Sequence, residues 1–306
     1  MHIGVIGGSG FIGSHVVDKL IEAGHEVTVL DMMKPQRDDV RHIYIDITDL
    51  SKTTVALTGA YDAVYMLAAM ADVNDVYKNP VETGHVNILA VANVLEAARR
   101  NEIERIILAS TVWVYETALE TSVNEDTPLL PGRVNHVYTA SKIAAELYCH
   151  SYQKLYNQQF TILRYGIPYG PRARDATVIA IFVRRALNGD AITIMGDGSQ
   201  YRSFIYIEDL ALGNVAALKD IAKNQTYNLE GLRPVTIREV AETVRKLVGN
   251  VDIEYKEARA GDYAGKIVST EKASKELNWQ PRVDLEEGVT RHIQWYQRSV
   301  LAREKS

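Results

Sequence analysis

The chain has 306 residues, 46% hydrophobic and 24% charged, which is ample for a large core and ordinary for a globular protein. A formal net charge of −5 argues against a broad nucleic-acid-binding surface, and the single cysteine, Cys149, excludes an intrachain disulfide and fits a reducing compartment. The longest apolar run, around Ala63 to Ala71, is too short to span a bilayer, and the N-terminus shows no secretory pattern, so a cytoplasmic protein is expected, with no membrane and no nucleic acid as partner.

In chain order, "HIGVI" (His2–Ile6) predicts a strand, and apolar residues at helical spacing predict a helix from Phe11 to Ala23, stopping at Gly24. "EVTVL" (Glu26–Leu30) and "HIYID" predict two further strands, and a short helix follows near Leu50. "AVYML" (Ala63–Leu67), "RIILAS" (Arg105–Ser110) and "FTILRY" (Phe160–Tyr165) predict strands four to six, separated by long helices over Val81–Arg100 and Val137–Tyr156. Strand and helix alternating in this way imply a parallel sheet covered on both faces, a doubly wound α/β fold. After Tyr165 the texture becomes richer in Gly, Pro and Arg. The expected division is therefore a dinucleotide-binding domain over 1–165 and a smaller lobe over 166–306, with segments such as "FIYIEDLALGNVAAL" returning to the first domain.

"IGGSGFIG" (Ile6–Gly13) carries two overlapping fingerprints, Gly8-x-Gly10-x-x-Gly13 and Gly7-x-x-Gly10-x-x-Gly13. In either register one glycine makes the turn after the strand, one lets backbone approach a pyrophosphate, and one lets helix pack on strand. The phosphates then meet the free N–H groups and the dipole of a helix N-terminus. The second strand ends in Asp31, 18 residues after Gly13. An acid there accepts hydrogen bonds from an adenosine ribose and repels a 2′-phosphate. With no arginine directly after it, the pattern favours NAD over NADP. Asp46 either reaches the adenine edge or, like Asp49, caps a helix.

"YTASK" places Tyr138 and Lys142 four residues apart, on one face of a helix. An ammonium beside a phenol favours the phenolate, so such a tyrosine exchanges protons near neutrality. "AST" just upstream puts Thr111 at the C-terminal end of the fifth strand, the edge where doubly wound sheets bind ligands.

Taken together, Gly7-x-x-Gly10-x-x-Gly13, Asp31, "LAA" (Leu67–Ala69), "VNILAVANVLEAAR", "STVWVY", "YTASK" and "YGPR" resemble the extended short-chain dehydrogenase/reductases. The nucleotide-sugar epimerase/dehydratase branch, and UDP-sugar 4-epimerases within it, are the nearest match. The resemblance implies Tyr138 as acid/base, Lys142 as the residue that binds the nicotinamide ribose and tunes it, and Thr111 as the catalytic hydroxyl. It implies further NAD contacts from Gly7, Gly10, Phe11, Ile12, Gly13, Asp31, Asp46, Ile47, Leu67, Ala68, Ala69, Asn87 and Tyr165. Asn87 has the alternative of a buried polar group supporting Lys142 through water. No metal is implied.

In the second half, "GDGSQYRSFIYIEDL" (Gly196–Leu210) and "ARAGD" resemble the branch's nucleotide-sugar segments, so Arg202 and Arg259 are expected at the diphosphate and Lys266 beside the hexose. The chain departs from the branch at Ile167, where Asn is usual, and at Glu116, where Gly is usual. The implied activity is NAD-dependent C4 epimerisation of a nucleotide-diphosphate sugar, a UDP-hexose or UDP-uronate, by a homodimer paired through the two long helices. The alternatives are 4,6-dehydration or uronate decarboxylation, and, from another class, a non-catalytic NAD-binding regulator. Relatives catalysing the first two place acids after the catalytic threonine, where this chain has Val112 and Trp113.

Overall fold

The computed structural model describes residues 1–249, 251–257 and 265–303. Contacts divide the chain into two compact units: Met1–Tyr165 with Ala211–Leu229 and Val268–Trp279, and Gly166–Leu210 with Glu230–Ile267 and Gln280–Ser306.

The first unit is built on seven strands: β1 (His2–Ile6), β2 (Glu26–Asp31), β3 (Arg41–Tyr44), β4 (Ala63–Met66), β5 (Arg105–Thr111), β6 (Gln159–Tyr165) and β7 (Gln225–Leu229). They form one parallel sheet in the order β7-β6-β5-β4-β1-β2-β3. The apolar runs of the central strands do not alternate because both their faces are buried; every residue of β4 and β5 is buried. The chain runs outward from β1 through β2 to β3, then returns to β4 on β1's other side. That reversal opens a crevice at the C-terminal ends of β1 and β4, the usual ligand position in such sheets.

The helices of this unit that precede β6 are α1 (Phe11–Glu22), α2 (Leu50–Ala56), α3 (Val73–Lys78), α4 (Pro80–Gly84), α5 (Ala90–Arg100) and α6 (Val137–Tyr156). Valines, leucines and alanines of α5 pack with Ala145 and Cys149 of α6 onto Ile106 and Leu108 of β5. Cys149 is fully buried, and desolvation, with the Glu146 carboxylate adding to it, pushes its thiol well above the usual range. Two features differ from the expectation. The helix over Val81–Arg100 is interrupted by a π-helical turn, His85–Leu89, which carries Asn87. The sheet also has a seventh strand, β7, whose partner β6 is remote in sequence. On α6, Leu147 and Leu155 are 57% and 71% exposed, so the stripe they share with Tyr148 and Ser151 faces away from the sheet.

The second unit has short parallel pairs, Ile167–Tyr169 with Phe204–Tyr206 and Ile192–Met195 with Ile253–Lys256, and an antiparallel pair, Tyr201–Arg202 with Val235–Thr236. The helix Val178–Leu187 packs on Ile237–Val248, and Phe182, Val183, Ile192, Val240 and Val244 are buried here. The Asp209 carboxylate accepts the N–H groups of Arg282 and Val283, both at 2.9 Å, which fixes the approach to the helix Leu285–Arg303. Glu230 is 4% exposed and lies so close to Gly166 that any side chain at 166 would overlap its Oε1. It accepts the Gly231 N–H at 3.3 Å, and burial pushes its carboxyl up to about 8.

Candidate active site

The glycine run forms the floor of the crevice. Gly7 has φ +81°, a conformation that costs glycine nothing, and a Cβ there would sit 2.6 Å from the Ala68 nitrogen. A Cβ on Gly13 would overlap the Gly7 carbonyl oxygen, so α1 can approach the turn only with glycine at 13. Gly10 is the N-cap of α1 and supplies no capping side chain, so the first-turn amides are left for another acceptor. At the end of β2, the Asp31 carboxylate accepts the Ser9 N–H at 3.0 Å and the Met33 N–H at 2.9 Å. Ser9 Oγ in turn donates to the Met33 carbonyl at 2.7 Å. These bonds hold an acid beside the glycine turn, with lone pairs to spare. An uncapped helix N-terminus, a turn stripped of side chains and an adjacent carboxylate fit the pyrophosphate and ribose of a dinucleotide.

Other expected cofactor residues line the same edge. Leu67, Ala68 and Ala69 follow β4, and the Leu67 N–H donates to the Ile6 carbonyl at 3.0 Å. Asp46 accepts the Thr48 N–H at 3.0 Å and hydroxyl at 2.7 Å, bonds that hold its carboxyl below the usual range. The N-cap of α2 is Asp49, which accepts the Lys52 N–H at 3.0 Å. Ile47 is buried, and its carbonyl accepts from Asn93 Nδ2 at 3.0 Å. The Tyr165 hydroxyl is buried and donates to Asn214 Oδ1 at 2.5 Å. Asn87 binds protein directly: it pairs with both backbone groups of Met70 and donates to Ser141 Oγ, which bonds the Tyr138 carbonyl.

Tyr138, Lys142 and Thr111 are brought to the C-terminal edge by α6 and β5. Lys142 is 4% exposed; its Nζ donates to the Ala109 carbonyl at 2.9 Å and lies 5.9 Å from the centroid of the Tyr138 ring. Burial lowers its ammonium to about 8, partly offset by the Glu146 carboxylate. Thr111 is buried, and its Oγ1 accepts the Trp113 N–H at 3.2 Å, which leaves its hydroxyl proton to donate. Trp113 packs edge-on against Tyr138, with centroids 6.1 Å apart, and against His136 at 6.0 Å. His136 caps α6, its Nδ1 accepting the Tyr138 N–H at 3.1 Å.

Sequence reasoning did not single out Ser110, Glu146 or Arg164, which form a buried cluster under Lys142. The available signal was an acid four residues after Lys142, on the same helical face. In the second unit, Arg202 Nη1 donates to the Tyr201 carbonyl at 2.7 Å, and the Tyr201 hydroxyl reaches the Gly265 carbonyl at 3.4 Å, which brings the chain at Lys266 close to the chain at Arg202. Arg259 lies outside the described residues.

A model of the NAD dependent epimerase/dehydratase family matches residues 3–229. A chain of Methanocaldococcus jannaschii provisionally named UDP-glucose 4-epimerase is 33% identical over 95% of this chain and 97% of its own. UDP-glucuronic acid decarboxylase 1 of Danio rerio is also 33% identical, over 97% of this chain and 72% of its own. Among solved structures, the UDP-glucuronic acid 4-epimerase of Bacillus cereus, in complex with UDP-glucuronic acid and NAD, superposes with a TM-score of 0.87 at 28% identity, over 98% of this chain and all of the other. With a family match over most of its length, on a fold whose glycine turn fits a dinucleotide, this chain belongs to the NAD dependent epimerase/dehydratase family and is an enzyme that uses NAD as its cofactor.

Proposed function

We propose that the protein catalyses C4 epimerisation of a nucleotide-diphosphate sugar, a UDP-hexose or UDP-uronate. The observation that carries this reading is the grouping of Tyr138, the buried Lys142 ammonium and the Thr111 hydroxyl at one sheet edge, with Val112 and the Trp113 ring beside them instead of acids. In this reading Thr111 donates to the C4 oxygen and holds it toward Tyr138. The Tyr138 phenolate, favoured by the neighbouring ammonium, takes the proton of the C4 hydroxyl and later returns it. Lys142 also holds the nicotinamide ribose, while Gly7, Gly10, Gly13 and Asp31 hold the adenosine end. NAD, when bound, supplies the hydride acceptor and donor at C4. Arg202, Arg259 and Lys266 bind the diphosphate and sugar. Val112 and Trp113 offer no group that acts as an acid or base at C5, so the ring is left otherwise unchanged.

The test is to incubate the protein with UDP-glucose and UDP-glucuronate in D2O and read the products by NMR. The expected result is the C4 epimer of one of them, with no deuterium at C5 or C6. The second reading, uronate decarboxylation, has support from the Danio rerio relative. Release of CO2 from UDP-glucuronate, or deuterium at C5, would favour it and overturn the epimerase reading.

The quaternary reading is a homodimer paired through α6 and the helix formed by α4 and α5. It is supported by Val81, 73% exposed, with Leu89 on that helix, and by Leu147, Tyr148 and Leu155 on α6, which leave apolar surface uncovered on both. Sedimentation of the wild type and of a Leu147→Glu, Leu155→Glu variant tests it; a monomeric wild type sinks it.

A further inference from the structure

Three consecutive residues of β5 meet α6 in different ways. The Ala109 carbonyl accepts from Lys142 Nζ at 2.9 Å, Ser110 Oγ donates to Glu146 Oε1 at 2.5 Å, and Thr111 presents its hydroxyl at the sheet edge. Glu146 follows Lys142 by one helical turn. Its carboxylate also takes a forked pair of bonds from Arg164 on β6, Nε to Oε1 at 3.0 Å and Nη2 to Oε2 at 2.7 Å. Both side chains of this pair are nearly inaccessible, 7% and 5% exposed. Arg164 Nη1 continues to the Tyr115 hydroxyl at 2.8 Å, which donates to Asn228 Oδ1 at 2.9 Å.

Stability alone is a poor reason for such a cluster, because replacing a buried ion pair by apolar side chains of similar volume is often neutral or stabilising. The charge count gives a better one. Two buried cations, Lys142 and Arg164, share one carboxylate. Lys142 lies near Tyr138 and Glu146 on its own helix and donates to the Ala109 carbonyl of β5, while Arg164 of β6 and, further along α6, Cys149 and His150 interact with Glu146. Glu146 is the one carboxylate among these groups.

We propose that Glu146 is a positioning residue that sets both the orientation and the charge of Lys142, by fixing the turn of α6 that follows it to Ser110 of β5 and Arg164 of β6. This rests on Lys142 being the ribose-binding lysine of the proposed function. Removing the carboxylate leaves the buried ammonium uncompensated, so Lys142 loses its proton at lower pH and NAD is held less well on the alkaline side.

The test is the affinity for NAD from pH 6 to 9 by calorimetry, which needs no sugar substrate. The variants are Glu146→Gln, which leaves the Arg164 charge uncompensated, and the double variant Glu146→Leu, Arg164→Met, which leaves no buried charge of the pair behind, a replacement that is often neutral for stability. In Glu146→Gln the alkaline midpoint of binding is expected to move to lower pH by about 1–3 units, the usual effect of losing one nearby opposite charge, and in the double variant, which also removes a positive charge, by less. A folded variant with the wild-type midpoint, or with affinity lowered equally at every pH, overturns the proposal and reduces Glu146 to packing. Lys142→Met separates this from failure of the underlying reading: if its affinity and pH profile match the wild type, Lys142 does not hold NAD at all.

Discussion

Asn87 satisfies both backbone groups of Met70: its Oδ1 accepts the Met70 N–H at 2.8 Å, and its Nδ2 donates to the Met70 carbonyl at 2.9 Å. The same Nδ2 reaches Ser141 Oγ at 3.0 Å, so one amide ties the loop after β4 to the helix that bears Tyr138 and Lys142. Asn87→Ala strands the half-buried N–H and carbonyl of Met70. The expected cost is about 1–3 kcal/mol for an unsatisfied buried group, read from urea unfolding, together with weaker NAD binding. Unchanged stability would mean that Met70 finds other partners.

Asp31 is held beside the glycine turn by the N–H groups of Ser9 and Met33. Its charge repels a 2′-phosphate. Asp31→Ala is expected to lower NAD affinity and raise NADP affinity, narrowing the preference in calorimetry. A wild type that binds NADP more tightly than NAD would remove Asp31 from this role.

Tyr138→Phe deletes one hydroxyl and leaves the edge contact with Trp113, whose centroid is 6.1 Å away. Folding and NAD binding are expected to persist while turnover falls by about 10²–10⁴-fold, the usual contribution of a general acid/base. Near-normal turnover would show that another group moves the proton.

Glu230 makes stability depend on pH with an unusual sign. Burial raises its folded carboxyl to about 8 from an ordinary value of 4.5, so the folded state binds the extra proton. The stabilising contribution is fully present below pH 4.5 and is lost as pH rises through about 8. Glu230→Gln has no proton to lose there. Its unfolding midpoint, relative to the wild type, is expected to rise between pH 5 and pH 8.5. A constant difference across that range would show that Glu230 does not titrate in the window.

The first unit was legible where its signals are local. The apolar run of β1, the glycine turn and the helical spacing of α1 lie within a few residues of one another, and α6 begins and ends where its sequence period does, Val137–Tyr156. The misses all depend on remote partners. The pairing of β7 with β6 comes from far along the chain. The π-helical turn at His85–Leu89 is invisible in a continuous apolar period, and Asn87 within it bonds Met70 and Ser141, which no local pattern reveals. Lys142 stood out through its spacing from Tyr138, whereas Glu146 has meaning only once Ser110 and Arg164 converge on it.

The lone thiol of Cys149 sits at 0% exposure between α5, α6 and the sheet, with its ionisation suppressed. Since the thiolate is the reactive form, a maleimide cannot label the closed protein. It can react only during excursions in which α6 lifts from β5, so alkylation clocks the opening of the layer that carries Tyr138 and Lys142. NAD is expected to slow that clock, which makes a single native sulfur a gauge of cofactor occupancy that needs no engineered cysteine.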